Sequence, residues 1–132
     1  MGLFLTKRAF LSPTREAYVE SDGSLRLTYT ELNNRCNQLA NSFVGSGIAK
    51  GDRVGLLLMN SSEFMESYYA LAKIGAVTTL VNSALKGASL RHALRQCDVE
   101  LVLFDGASTA ALASIATAGG ERDVSSVHVV DD

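Results

Sequence analysis

Three glycines and a lysine, Gly45, Gly47, Gly51 and Lys50, stand beside the apolar run RVGLLLM, a composition that could cradle a phosphate. A dinucleotide loop needs G-x-G-x-x-G after a strand and opening a helix, so that the helix N-terminus faces the pyrophosphate. Here the third glycine comes one residue late, a helical pattern precedes the loop, and the apolar run follows it. A Walker loop fits no better, because Lys50 precedes Gly51 and neither Ser nor Thr follows. The glycines therefore read as a helix stop and a turn, with the next strand starting near Arg53.

The other reactive residue types are equally spare. His92 falls on a helix beside Arg91 and Arg95, with no second His or Cys at metal-ligand spacing, and His128 lies in a strand without a partner. Glu63 and Glu66 share a helix face, but in a first turn their charges serve the helix dipole rather than acid/base work. Ser61 and Ser62 lack a G-x-S-x-G elbow. Tyr68 and Tyr69 read as core and rim. Cys36 and Cys97 both fall on apolar helix faces, as buried free thiols. These residues alone describe a soluble α/β domain with no catalytic or metal-binding set.

Such residues must be held by elements, and the sequence marks them clearly. The 132 residues are 47% hydrophobic and 20% charged, enough for a core and unlike a disordered tail. A net charge of -2 without a basic cluster excludes nucleic acid as an expected partner. No apolar run reaches membrane-spanning length. MGLFLT matches the loose N-myristoylation pattern, yet reads as the start of an amphipathic helix, MGLFLTKRAF.

The runs EAYVES and LRLTY flank Asp22-Gly23, a hairpin signal, pairing 17–20 with 25–29. Thr28 and Glu31 form a T-x-x-E box before a helix reaching about Val44, apolar at Leu32, Cys36, Leu39 and Phe43. Asn60 and Glu63 repeat the capping logic before SSEFMESYYALAKIG, a helix apolar over most of its surface, which Gly75 closes. GASLRHALRQC carries Leu90, Ala93, Leu94 and Cys97 on one face, and an alanine-rich helix follows near 107–118, then a GGERD loop. The runs 53–58, 76–81, 100–104 and 127–130 alternate with these helices. That alternation predicts an α/β fold: a parallel sheet with helices on both faces, preceded by a short β-hairpin at its edge or apart from it. Pro13, the single proline, marks no linker.

Pattern carries more than chemistry does. Residues 27–32, LTYTEL, residues 70–77, ALAKIGAV, and the KGDRV of residues 50–54 between them resemble core motifs of the adenylate-forming acyl-CoA synthetases and ligases, the AMP-binding superfamily. The stretch NSALKGASLRHAL from Asn82 to Leu94 is similar to the fatty-acid transport and very-long-chain acyl-CoA synthetase branch. The resemblance spans about residues 9–105 in order and at family spacing. It implies that 1–132 is a partial N-terminal AMP-binding synthetase domain, the first part of the large N-terminal lobe, incomplete and without a C-terminal lobe.

The family activates a carboxylate with ATP to an acyl-adenylate, and the thiol of coenzyme A then displaces AMP. The resemblance implies ATP, Mg²⁺ and coenzyme A as cofactors of the whole enzyme and a fatty acid as its substrate. The family's phosphate loop, magnesium glutamate, ribose aspartate and catalytic lysine do not occur here, so the chain is expected to be inactive alone and to bind none of these cofactors well. One contact falls inside it. Some relatives place a basic residue after the equivalent of Asn82 against coenzyme A phosphates; Ala84 takes that place here, with Lys86 two positions on as the candidate. A solvated loop lysine is the competing reading of Lys86. The expected location is cytoplasmic, with peripheral membrane association and self-association through exposed apolar surface left open. A stand-alone binding or assembly module derived from the family is the alternative function, and an unrelated flavodoxin- or Rossmann-like domain is disfavoured by the missing phosphate loop.

Overall fold

Thr28 sets the first long helix. Its Oγ1 accepts from the Glu31 amide at 3.2 Å, satisfying one free donor of the first turn. In the computed structural model, which describes residues 2–116 and 125–128, this helix is α2, Tyr29–Gly45. It follows α1, Phe4–Leu11, and a hairpin of β1, Glu16–Val19, with β2, Arg26–Thr28. The hairpin is antiparallel, and its register slips once between Glu16 and Tyr18. Gly23 turns it with φ 75°, as Asp22-Gly23 predicts.

The remaining elements alternate. They are β3, Arg53–Leu57; α3, Ser62–Ile74; β4, Val77–Leu80; α4, Gly87–Gln96; and β5, Leu101–Phe104. A 3-10 turn at Gly106–Ser108 leads into α5, Thr109–Ala116, and β6 is Ser125–His128. The four later strands form one parallel sheet in the order β4-β3-β5-β6. Parallel neighbours need a long connection, and a helix lies in the chain between each consecutive pair. The hairpin is a separate two-stranded sheet. The last strand begins two residues earlier than the predicted run 127–130, whose end lies outside the described residues, as does the GGERD loop.

Two compact units share the chain. One combines residues 1–51 with 60–76; the other combines 52–59 with 77–132. The first, helical unit packs Leu5, Leu27, Leu32 and Cys36 together, with Tyr18, Tyr29 and Tyr69 around them. The second, sheet unit buries Leu57, Leu90, Leu94, Val99, Val102 and Leu112. Gly55 in β3 permits that packing, since a Cβ there would stand 3.2 Å from Val99 Cγ1.

Helices α2, α3 and α4 all stop in one way. Ile48 N–H donates to Phe43 O at 3.0 Å, Ala76 N–H to Leu71 O at 3.1 Å, and Val99 N–H to Leu94 O at 3.0 Å. The turning residues are Gly47 at φ 96°, Gly75 at φ 79° and, without glycine's freedom, Asp98 at φ 51°. These are Schellman closures, in which a left-handed residue lets the next amide reach back to an orphan carbonyl. The glycine loop is thus a helix stop, with β3 starting at Arg53 as expected.

Several local readings change. Ser61, not Asn60, caps α3: its Oγ accepts from Phe64 N–H at 3.3 Å. Ala40 is buried on α2 where Leu39 was expected, because the face drifts by one position over the helix. Cys36 is buried but Cys97 is exposed, since Cys97 is the C-cap of α4 and the chain has left the helix face there. Glu66 lies past the first turn of α3 and is buried, so it is no dipole residue.

Candidate functional site

Open parallel sheets receive ligands beyond the carboxyl ends of their strands, where loops leave the sheet for the helices. In the sheet unit these ends are organised by two carboxamide and carboxylate side chains. After β4, Asn82 Oδ1 accepts from Ala84 N–H at 2.9 Å and Asn82 O from Leu85 N–H at 3.0 Å, folding a tight turn. That turn delivers Lys86 to the N-cap of α4 in extended backbone, φ -144° and ψ 160°. Its side chain caps nothing and is exposed. After β5, Asp105 bridges two segments: Oδ2 accepts from Met59 N–H at 2.9 Å, just beyond β3, and Oδ1 from Ser108 N–H at 3.1 Å.

Asp105 has no place among the residues singled out from sequence. Its signal was an Asp three residues before Ser108 at a helix start, a capping pattern; its tie to Met59 joins distant segments and leaves no local trace. Lys86 and Asp105 therefore leave the two strands that flank β3, at the same edge of the sheet. The first carries an exposed positive charge there. The second holds the loop that follows β3 in place.

The other candidates disperse. His92 is exposed on α4, and His128 pairs in register with Phe104 in the β5–β6 ladder. Among the described residues no group of three or more His, Cys, Asp or Glu side chains could hold a metal ion. The Gly47 and Gly51 amides serve a helix closure and a bond to Gly75 O at 3.0 Å, so this loop is no phosphate cradle.

A second polar set lies inside the helical unit, between α2 and α3. Arg35 Nε stands 2.7 Å from Glu66 Oε1, an ion pair in which Glu66 is nearly buried and Arg35 half-exposed. No directed hydrogen bond reaches that oxygen, so the attraction is electrostatic. Burial raises the Glu66 carboxyl above its ordinary value; Arg35 opposes the shift and Glu63 adds to it. Cys36, fully buried nearby, is pushed up to about 11 by burial. Lys73 Nζ donates to Thr6 Oγ1 and to Asn33 Oδ1, each at 2.8 Å, and so pins α1 and α2 to α3. Burial holds its ammonium below the usual lysine range. Every one of these groups is satisfied by a neighbour or enclosed by packing, which makes the set a structural clamp.

Comparison with known proteins gives this scaffold a context. The family described as "AMP-binding enzyme" matches residues 5–132. The long-chain-fatty-acid–CoA ligase FadD13 of Mycobacterium tuberculosis is 36% identical over 115 residues, which cover 87% of this chain and 23% of the ligase. The putative acyl-CoA synthetase YngI of Bacillus subtilis is 36% identical over 106 residues, covering 80% and 19% of the two chains. Long-chain fatty acid transport protein 6 of the mouse is 33% identical over 102 residues, covering 74% and 16%. Among solved structures, the N-terminal domain of FACL13 from M. tuberculosis superposes with a TM-score of 0.89 at 32% identity, covering 96% of this chain and 33% of that one. The chain thus spans about a quarter or less of the curated relatives it matches.

Proposed function

Because the chain belongs to the AMP-binding enzyme family, we propose that it is the scaffold-forming first part of a fatty-acid–CoA ligase. The observation that carries this reading is the likeness at 36% identity to a long-chain-fatty-acid–CoA ligase over 87% of the chain. The whole enzyme would join a fatty acid to ATP as an acyl-adenylate with loss of pyrophosphate, and coenzyme A thiol would then displace AMP. ATP, Mg²⁺ and coenzyme A are cofactors of that whole enzyme. Residues 1–132 would contribute the sheet edge on which later segments build the site, not the reacting groups. Lys86, exposed where β4 hands over to α4, is the proposed contact for a coenzyme A phosphate.

We place the protein in the cytoplasm, peripheral to a membrane; among the described residues no helix is long and apolar enough to cross one. Exposed Val77 and Leu80 on the edge strand β4 support self-association of the isolated chain. Nucleic acid is not a proposed partner.

Adenylation demands that donors, metal and lysine converge where charge develops, and loss of one such group commonly costs about a hundredfold or more in rate. Purified 1–132 should therefore give no ATP–pyrophosphate exchange with a fatty acid, and no calorimetric saturation with Mg-ATP. Turnover above background in a contaminant-controlled preparation would overturn the scaffold reading. Saturable binding without turnover would favour the non-catalytic module instead. Lys86→Glu should reduce any coenzyme A binding that calorimetry detects, and an unchanged titration removes Lys86 from the proposal.

A further inference from the structure

Strand β4 stands at one end of its sheet, and among the described residues no strand pairs with its outer side. Such an edge presents a row of unpaired amides and carbonyls, which proteins ordinarily guard with charges, a proline or a bulge. The hairpin is guarded in this way. Glu16 and Arg26 put charges on its strands, and its register slips between Glu16 and Tyr18. β4 has none of these devices. Residues 74–85, IGAVTTLVNSAL, include no charged residue and no proline. The register of β4 with β3 runs unbroken from Val77 to Leu80. Val77 and Leu80 are 50% and 57% exposed, although apolar.

Hydrogen bonding fixes which backbone groups this edge offers. Val77 N–H donates to Asp52 O at 2.8 Å and Val81 N–H to Leu56 O at 3.0 Å, so both residues turn their backbone groups toward β3. Strand alternation then turns those of Thr78 and Leu80 outward. A two-fold contact sets a patch against itself, so a charged patch repels its own copy, whereas an uncharged one does not. We infer that β4 pairs antiparallel with β4 of a second copy of the chain, with the two-fold axis at Thr79. In this register Thr78 exchanges both backbone hydrogen bonds with the partner's Leu80, and Leu80 does so with the partner's Thr78. Thr79 faces the partner's Thr79, and Val77 faces the partner's Val81, so hydroxyl meets hydroxyl and apolar meets apolar. The neighbouring registers call on groups already engaged. An axis at Thr78 needs the Ala76 amide, which is given to Leu71 O at 3.1 Å. An axis at Leu80 needs the Asn82 carbonyl, which accepts from Leu85 N–H at 3.0 Å. The inference rests on the self-association proposed above and names its contact; it draws nothing from the ligase reading.

Sedimentation equilibrium of 1–132 over a dilution series reads the association. The strand is four residues long, so the expected dimer is weak and dissociates on dilution. Thr78→Glu should weaken it about tenfold, because the two-fold axis brings two carboxylates to one short contact. Leu80→Lys should act in the same way. An equimolar mixture of these two variants should dimerise again, since the introduced charges are opposite in sign and face each other. Circular dichroism checks that each variant is folded. Cross-linking reads the register, in a Cys97→Ser background that leaves only the buried Cys36. Thr79→Cys should oxidise to a covalent dimer, because opposed residues of that pair lie about 4.5 Å apart at Cα, within disulfide reach. Thr78→Cys, which faces the partner's Leu80, should not. A monomer at every concentration overturns this contact and the self-association alike, and leaves the edge to a further strand of a longer ligase. A dimer indifferent to Thr78→Glu and Leu80→Lys keeps the self-association and discards β4. Covalent capture through Thr78→Cys in place of Thr79→Cys overturns the register.

Discussion

The two compact units solve the problem of burial differently. Among the described residues the sheet unit centres its core on aliphatic side chains, Leu57, Leu90, Leu94, Val99, Val102 and Leu112, and its one buried polar residue is the uncharged Ser108. The helical unit places Cys36, Glu66 and Ser67 in its interior and fastens its helices with Arg35 and Lys73. An aliphatic core depends on shape and loses stability when atoms are removed. A polar interior depends on pairing and responds to the proton. The two cores should therefore respond differently to pH, and substitutions should separate them.

The largest effect is expected in the sheet unit. Leu94→Ala removes a side chain that is wholly enclosed and should lower stability by about 3 kcal/mol, read from the urea midpoint at constant slope. That loss should be the same at pH 5 and pH 7 within error, which tests whether this core is free of titrating groups. A pH-dependent loss would erase the distinction between the units.

Next comes Arg35→Met, which leaves the Glu66 carboxylate buried without its counter-charge. Fully buried pairs lose about 3–5 kcal/mol on such a change; the half-exposed Arg35 brings the expectation to about 2 kcal/mol at neutral pH. The sign with pH is fixed by the direction of the Glu66 shift. A carboxyl raised in the folded state favours the protonated form. Its contribution is fully present below the ordinary value of 4.5 and declines as pH rises through the raised one. Without Arg35 the shift grows, so the gap between variant and native chain should open from about pH 4.5 upward and close in acid. A gap that widens on acidification would contradict the assigned direction.

The helix closures give the smallest and finest comparison. Gly47→Ala and Gly75→Ala in the helical unit should each lose about 1 kcal/mol, because both turn with positive φ. Gly75→Ala must also displace Lys50, whose Cγ would lie 2.9 Å away, while Gly47 has open space. In the sheet unit the same role falls to Asp98, so Asp98→Gly should gain up to about 1 kcal/mol in thermal or urea unfolding. Opposite signs at equivalent positions would establish that the closure, rather than local packing, sets these energies.

What could be read without coordinates was local. Thr28, Gly75 and the Asp22-Gly23 turn act on amides within a few residues, so their spacing is visible in the sequence. The parallel sense of β3, β4 and β5 followed from apolar runs that alternate with helices, whereas their order in the sheet did not. Ser61 was missed because Asn60 beside it is an equally good capping residue type, and only the extended backbone at Ser61 selects between them. Arg35–Glu66 and Asp105–Met59 were missed for another reason: each joins residues far apart in the chain, and nothing in either neighbourhood announces the partner. The family resemblance rested on LTYTEL, KGDRV and ALAKIGAV, which form the α2 cap, the entry to β3 and the α3 closure. These motifs report joints of the fold, which explains how the family was legible while a site was not.

The central place of β3 has a bearing on how the polypeptide is made. Val54, Leu56 and Leu57 are wholly enclosed in the folded chain, and β3 pairs with β4 on one side and β5 on the other. A ribosome delivers β3 first, its one neighbour only after α3 has emerged, and the other only after α4. At the usual pace of about 5–20 residues per second, this central strand waits roughly a few seconds before both hydrogen-bonding edges are covered. During nascent life this segment is where a holdase chaperone would take hold.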